Sequence, residues 1–462
     1  MSAWLPLWAE RDLDAPLAWR AGAPISARQF LADVASLAAR LPAQARIVNL
    51  CTDRYRFAVA LAASWSRGLM CLLPPNALPE TLANLDGGGW PLCALTDDEP
   101  ASIVSMPALQ VDAPQPAGEA DQVVQVPRLL ADAEVACLLT SGSTGQPQPH
   151  AKRWGALLRN IGAEADRLAE MLQRPDLRGV TIVASVPPQH SYGFESTVLL
   201  ALMGGAALDS GRPFYPADIA DALARVPRPR ALVTTPFHLK TLLLSGVALP
   251  PVDLVLSATA PLSPQLAAQA EAVFQGVLVE IYGCTEAGQV ASRRTSEGDT
   301  WRTLGELRLH SEPGTEGEQF VVQGGHVLAP TVLADVLVLQ DAQHFRLLGR
   351  SNDLIHVAGK RSSLAFLNFQ LNRIAGVQDG CFWMPDDVVE GVVRPVAFVV
   401  APDLNAGQIV AGLRALLEPA FVPRKVVQVP ALPREATGKI TAQALRAFAQ
   451  QHLGSVVPEA AP

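Results

Sequence analysis

Along the first two thirds of the chain, short apolar runs alternate with longer segments whose apolar residues recur every three or four positions. ISARQFLADVASLAARL carries Phe30, Leu31, Val34, Leu37 and Leu41 at that spacing, which predicts an amphipathic helix. ARIVNLC behind it is almost continuously apolar and predicts a buried strand; RFAVALAASWSRG predicts a second helix and LMCLLPP the next strand. The same order recurs as VTIVASVP before STVLLALMGGA and as RALVTTP before FHLKTLLLSG. LVLSATA then precedes SPQLAAQAEAVFQG, which leads into VLVEIYG. Repeated strand–helix–strand order implies an α/β fold of mainly parallel sheets covered by helices. From about Trp301 to Arg350 the pattern changes to short strands such as EQFVVQ and FRLLG between Gly-rich turns, which predicts a small antiparallel or barrel-like appendage. After GRSNDLIHVAGKR the chain reads as a compact α+β unit. PVAFVVAP is its strand, GQIVAGLRALLE a helix and TAQALRAFAQQH the last helix. The expected division is a large N-terminal domain, residues 1–351, and a small mobile C-terminal domain, residues 352–462.

Composition narrows the classes. At 462 residues, two or three packed units are expected, and a charged fraction of 17% argues against extensive disorder. A net charge of −8 argues against nucleic acid or an anionic membrane as the main partner. MSAWLPLWAERDLD lacks the basic and long apolar regions of a secretory signal, and STVLLALMGGAAL is too short for a membrane span. Cys51, Cys71, Cys93, Cys137, Cys284 and Cys381 show no CxxC spacing and are expected as reduced, buried thiols. A cytoplasmic protein is expected.

One polar stretch interrupts the apolar pattern: TSGSTGQPQ, directly behind LLADAEVACLL. Composition leaves it open between a surface connection and a phosphate grip, in which glycines let the backbone approach and hydroxyls meet phosphate oxygens. No Gly-Lys-Ser/Thr closes it, so it is not a Walker A loop. Three further segments share its chemistry. IYGCTEAG ends an apolar strand with an aromatic suited to stack on a purine, a hydroxyl, and a carboxylate suited to a divalent cation. GRSNDLIHVAGKR sets two arginines around a short strand, and LPREATGKI offers a lysine in a turn-rich loop.

These four segments, in this order, resemble the adenylate-forming superfamily of acyl- and aryl-CoA ligases, amino-acid adenylation domains and luciferases. The resemblance covers nearly the whole chain. It implies that Thr140, Ser141, Gly142, Ser143, Thr144 and Gly145 hold ATP phosphates. It further implies Tyr282 and Gly283 at adenine, Thr285 near the α-phosphate, and Glu286 at Mg²⁺. Ser257, Ala258, Thr259, Ala260 and Pro261 match the loop lining the adenine and acyl sites. Asp335 and Arg350 match the ribose contacts, Lys439 the catalytic lysine of the mobile domain, and Asn352 its hinge. The implied reaction joins a carboxylate to AMP with loss of pyrophosphate, then passes the acyl group to a thiol of CoA or of a holo acyl carrier protein. No carrier domain is evident, so the thiol is expected in trans.

The sequence departs from the family pattern in three places. Gln148 stands where many members have Lys, with Lys152 four residues on; Asn352 replaces the usual hinge Asp; and the N-terminal domain is short. A nucleotide-binding pseudoenzyme is therefore a second reading. PPQHSYGFE matches the segment bordering the acyl pocket, with His190 as gate and Tyr192, Gly193 and Phe194 beside it; a structurally satisfied histidine is the alternative. Aromatic residues suit a flat acid such as a benzoate or cinnamate, and a medium-length fatty acid would also pack there. The short form is most similar to ligases of aryl-polyene and xanthomonadin-type pathways, which implies a 4-hydroxybenzoate-like acid.

Overall fold

The computed structural model describes residues 3–8, 11–100, 103, 105–113, 125–141, 147–314, 317–350, 354–357, 360–385, 394–434 and 440–453. Its largest sheet has eleven strands. In spatial order they are Asp335–Leu339, His344–Arg350, Thr300–Thr303, Gly288–Arg293, Val277–Cys284, Leu254–Ser257, Arg230–Thr234, Thr181–Ala184, Ala207–Asp209, Pro16–Arg20 and Ala23–Ser26. The run from Val277–Cys284 to Pro16–Arg20 is parallel, and antiparallel strands extend both edges. Those central strands are buried on both faces, which is why they read as unbroken apolar runs.

A second sheet of six strands runs Pro147–Arg153, Glu134–Ser141, Cys71–Leu73, Arg46–Asn49, Leu92–Thr96 and Ala108–Gln110, parallel except for the first pair. The helix Arg54–Ser66 contributes to a core shared by both sheets and is buried on nearly every side. Asp53 caps it, accepting from the Arg56 N–H at 3.0 Å.

Two sequence expectations change in detail. The polar loop was expected at a strand end, and the strand is Glu134–Ser141; the chain then returns as the antiparallel strand Pro147–Arg153 before a helix, Trp154–Met171, begins. STVLLALMGGA is not a regular α-helix. A short turn, Ser191–Gly193, leads into a π-helical segment, Phe194–Leu199, and one further α turn, Leu200–Leu202. A π turn is rare and concentrates at functional sites.

The barrel-like appendage is assembled from two sheets. The antiparallel strands Arg308–Gly314, Gly317–Gly324 and Val327–Leu333 pack their apolar face on the extended edge of the large sheet. Trp301, Leu307, Phe320, Val322, Leu337 and Phe345 form the shared core. The C-terminal elements make a three-stranded sheet of Asp379–Trp383, Val396–Val400 and Val426–Gln428. The helices Leu364–Asn372, Ala406–Leu416 and Ala442–Leu453 accompany it, with apolar clusters of their own. This unit touches the large domain where Lys240 Nζ donates to the Val377 carbonyl at 3.2 Å and Ser363 Oγ to the Leu348 carbonyl at 3.1 Å. No helix among the described residues is long and apolar enough to cross a membrane.

Candidate active site

Register fixes where the loops emerge. Ala184 lies opposite Val233, Thr234 opposite Ser257, and Ser257 opposite Glu280. The carboxyl ends of Thr181–Ala184, Arg230–Thr234 and Leu254–Ser257 are therefore level to within one residue, and Val277–Cys284 runs four residues further. The segments 185–194, 257–262 and 283–288 all leave on the carboxyl side of the sheet. Crevices outside the carboxyl ends of parallel strands are the general ligand-binding position of open α/β sheets.

The turn after Tyr282 is held by sterics. A Cβ on Gly283 would stand 2.3 Å from the Gly288 carbonyl oxygen, and Gly288 itself has φ +77°, so only glycines close this hairpin so tightly. Thr285 is half-buried and the Glu286 carboxylate is exposed. Lys152 Nζ donates to the Thr285 carbonyl, tying the six-stranded sheet to this turn. His326 Nε2 donates to the Ala287 carbonyl at 3.1 Å, and burial pushes its pKa down to about 4, so the ring is neutral. Burial pushes the Cys284 thiol up to about 12, the backbone at Ala287 opposing and the neighbouring Glu286 charge adding to the rise. That thiol is not poised as a nucleophile.

The Tyr282 hydroxyl donates to Asp335 Oδ2 at 2.8 Å. Its ring packs near Trp301 and Phe345, with centroids at 5.8 and 5.7 Å, and is almost fully buried. Asp335 and Arg350 are direct partners across the antiparallel strands Asp335–Leu339 and His344–Arg350. Tyr282 and Asp335, far apart in sequence, thus meet, with Arg350 opposite Asp335 in register.

The loop from Ser257 to Pro261 carries strain. Thr259 has φ +80°, a conformation a β-branched residue adopts only when its surroundings impose it, and the side chains of Thr259, Ala260 and Pro261 are exposed. Ser257 and Ala258 are buried beneath. The acyl-pocket segment folds back tightly: a Cβ on Gly193 would fall 1.9 Å from the Pro187 carbonyl oxygen. His190 precedes the short turn and is half-buried, as is Tyr192, while Phe194 is wholly buried. Phe194 therefore lies beneath this segment, packed into the core.

Several expected positions lie outside the described residues: Gly142, Ser143, Thr144, Gly145, Asn352 and Lys439. Thr140 and Ser141 are placed by backbone alone, at the end of the strand leading into that loop, and Arg350 likewise by its strand register.

A family model described as AMP-binding enzyme matches residues 7–312. The chain belongs to the AMP-binding enzyme family. The 4-coumarate–CoA ligase of Rhodobacter capsulatus is 31% identical over 305 residues, covering 65% of this chain and 73% of that protein. The 4-coumarate–CoA ligase of Halorhodospira halophila is 30% identical over 226 residues, covering 48% and 52%. This AMP-binding enzyme is an AMP-forming acid–thiol ligase. Its fold is similar to that of ATP-bound MatB from Rhodopseudomonas palustris, with a TM-score of 0.76, 19% identity and coverage of 96% and 97% of the two chains. It is equally similar, at 0.76 and 17% identity with 95% and 97% coverage, to the o-succinylbenzoate–CoA synthetase of Bacillus subtilis in complex with AMP.

Motif reading missed the residues behind the loops of this AMP-binding enzyme. Asn160 and Glu164 fall on the same helical stripe as the buried Leu157, Ile161 and Leu168. Polar side chains at core positions of an amphipathic helix were the available signal.

Proposed function

We propose that this enzyme activates an aromatic carboxylic acid of the 4-hydroxybenzoate or 4-coumarate type as its acyl-adenylate and transfers it to the thiol of CoA or of a holo acyl carrier protein. One observation carries the reading: the Thr285–Glu286 turn, the strained Thr259 loop and the His190–Tyr192 segment all follow the carboxyl ends of adjacent parallel strands, on one side of the sheet. The 4-coumarate–CoA ligases among its relatives support an aromatic acid.

In this reading Thr140, Ser141 and the residues 142–145 hold the triphosphate, and Tyr282 with Gly283 borders adenine. Tyr282 also holds Asp335 through its hydroxyl, so Asp335 receives the ribose already oriented, and Arg350, opposite it in register, is the second ribose contact of this reading. The substrate carboxylate attacks the α-phosphate, the bond to the pyrophosphate oxygen breaks, and negative charge grows on the phosphoryl oxygens. Lys439 and the Thr285 hydroxyl stabilise that charge. Glu286 fits Mg²⁺ by donor type and exposure: it offers hard carboxylate oxygens in open solvent and would hold the ion beside the phosphates. When bound, that ion neutralises the departing pyrophosphate. The C-terminal unit then turns about Asn352 and admits the thiol, whose sulfur displaces AMP from the acyl carbon. His190 and Tyr192 border the acid.

The test is acid-dependent exchange of labelled pyrophosphate into ATP across benzoates, cinnamates and C6–C12 fatty acids. Thioester detection with CoA and with holo acyl carrier protein follows. Exchange with aryl acids and not with octanoate is the expected result. Exchange restricted to fatty acids refutes the aromatic assignment, and nucleotide binding without exchange for any acid refutes catalysis.

A further inference from the structure

A group of buried polar side chains lies behind this site and takes no part in the steps above. Asn160 and Glu164 sit one turn apart on the helix Trp154–Met171 and are 2% and 0% exposed. Glu195 and Ser196 come from the π-helical segment directly after His190–Tyr192, and Gln289 from the strand that follows the Thr285–Glu286 turn. All three are buried. Gln289 Nε2 donates to Ser196 Oγ at 2.7 Å, and Ser191 Oγ donates to Glu195 Oε1 at 3.4 Å. Asn160 Oδ1, both oxygens of Glu164, Gln289 Oε1 and the Tyr192 hydroxyl have no partner in full hydrogen-bond geometry, the donors near enough to act on Glu164 being the side chains of Ser196 and Gln289. Burial pushes the Glu164 carboxyl up to about 8, and Ser196 and Gln289 beside it pull it back only in part. Tyr192 is close enough for the Glu164 charge to raise its phenol, an effect second to that of burial.

Buried acceptors without donors are costly, and native interiors rarely keep four together. The group also fixes what can complete it. A second carboxylate is disfavoured, because Glu164 and Glu195 already place two acids there and Lys152, the cation acting on Glu195, is engaged by the Thr285 carbonyl. A hydroxyl suits it: the O–H satisfies an orphaned acceptor, and its oxygen accepts from a protonated Glu164. An arylamine supplies donors but is a poor acceptor. The two ends of the group are continuous with the two sides of the acid site, through Tyr192 and Ser196 on one side and through Gln289, paired with Gly283, on the other.

Resting on the acyl-site reading above, we infer that Glu164 and Gln289 close the far end of the acyl pocket and select acids that carry a hydroxyl distal to the carboxylate. Glu164 is the specificity-determining residue and Gln289 its partner.

The test compares kcat/KM for adenylation between paired acids: 4-hydroxybenzoate with benzoate, 4-coumarate with cinnamate, and 8-hydroxyoctanoate with octanoate. The wild type is expected to favour the hydroxylated member by about 10-fold or more, because a buried site built for a hydroxyl discriminates strongly against its loss. Glu164→Leu should bring the ratio to about 1 or invert it while KM for ATP stays within about 2-fold. Glu164→Gln keeps the shape and one acceptor, should fold where Leu does not, and should give an intermediate ratio. An unchanged ratio in the folded variants overturns the inference, since the cluster is then a structural network closed by water. Turnover of 8-hydroxyoctanoate over octanoate with no aryl acid accepted overturns the aromatic reading and upholds hydroxyl selection. A wild type that prefers the unsubstituted acids overturns the inference whatever their class.

Discussion

At the Cys284–Ala287 turn the Glu286 carboxylate stands in solvent and Thr285 partly so, on a backbone fixed by Gly283 and Gly288. At Glu164 and Gln289 the side chains are wholly buried on ordinary helix and strand. The first region has a dense local signature, because a tight turn demands glycines and phosphate chemistry demands hydroxyls and a carboxylate within a few residues. The second has none, because its members come from three elements that only packing brings together. Chemistry common to a family concentrates in the first kind of region. Discrimination among substrates belongs to the second, where an unmet hydrogen bond costs most.

The sharpest challenge to this contrast is at Lys439. Lys439→Ala should lower adenylation about 10²- to 10³-fold by removing charge stabilisation of the transition state. Thioester formation from preformed acyl-adenylate should survive, which rapid-quench assays of the two half-reactions would show. Equal loss in both would mean the exposed region is not divided by step as proposed. Glu286→Gln is expected to reduce adenylation about 10-fold and move the Mg²⁺ titration to higher concentration, leaving the ratio between hydroxylated and unsubstituted acids unchanged. A changed acid ratio would merge the two regions into one.

Tyr282→Phe tests the link at the sheet edge. Loss of the 2.8 Å hydrogen bond to Asp335 should raise KM for ATP about 3- to 10-fold with little change in kcat, since a net hydrogen bond contributes on the order of 1 kcal/mol. A fall in kcat alone would place the hydroxyl in the reacting centre. The smallest effect concerns pH. Glu164 has a folded pKa of about 8, above the ordinary carboxyl value, so its contribution to stability is full below the unfolded pKa and declines as pH rises, levelling off above about 8. Glu195, also raised by burial, pulls the same way, while Lys152 opposes by favouring the Glu195 charge. Tyr192 stays neutral throughout. Between pH 6 and 8.5 the wild-type melting temperature should therefore fall a few degrees more than that of Glu164→Gln, the group accounting for at most ~1.4 kcal/mol per pH unit. Parallel curves would mean that Glu164 is hydrated in the folded state.

Local sequence determined the elements and their order. Strands buried on both faces must be continuously apolar, and helices such as Ala27–Arg40 must show an apolar stripe, so the α/β alternation was legible residue by residue. The candidate phosphate-side residues could be named for the same reason: Tyr282, Gly283, Thr285 and Glu286 are neighbours in sequence. Tertiary structure alone decided what those residues touch. The register that levels Ser257 with Glu280, the reach of Lys152 from one sheet to a carbonyl on the other, and the meeting of Tyr282 with Asp335 each depend on how separate elements pack. Phe194, placed by its motif beside the acyl pocket, is wholly buried at the start of the π turn. Glu164 left a trace as a carboxylate on an apolar stripe, but only the placement of Ser196 and Gln289 beside it turns a misplaced charge into a candidate selectivity filter. Periodicity records which face of an element is buried; it carries no information about which other element that face meets.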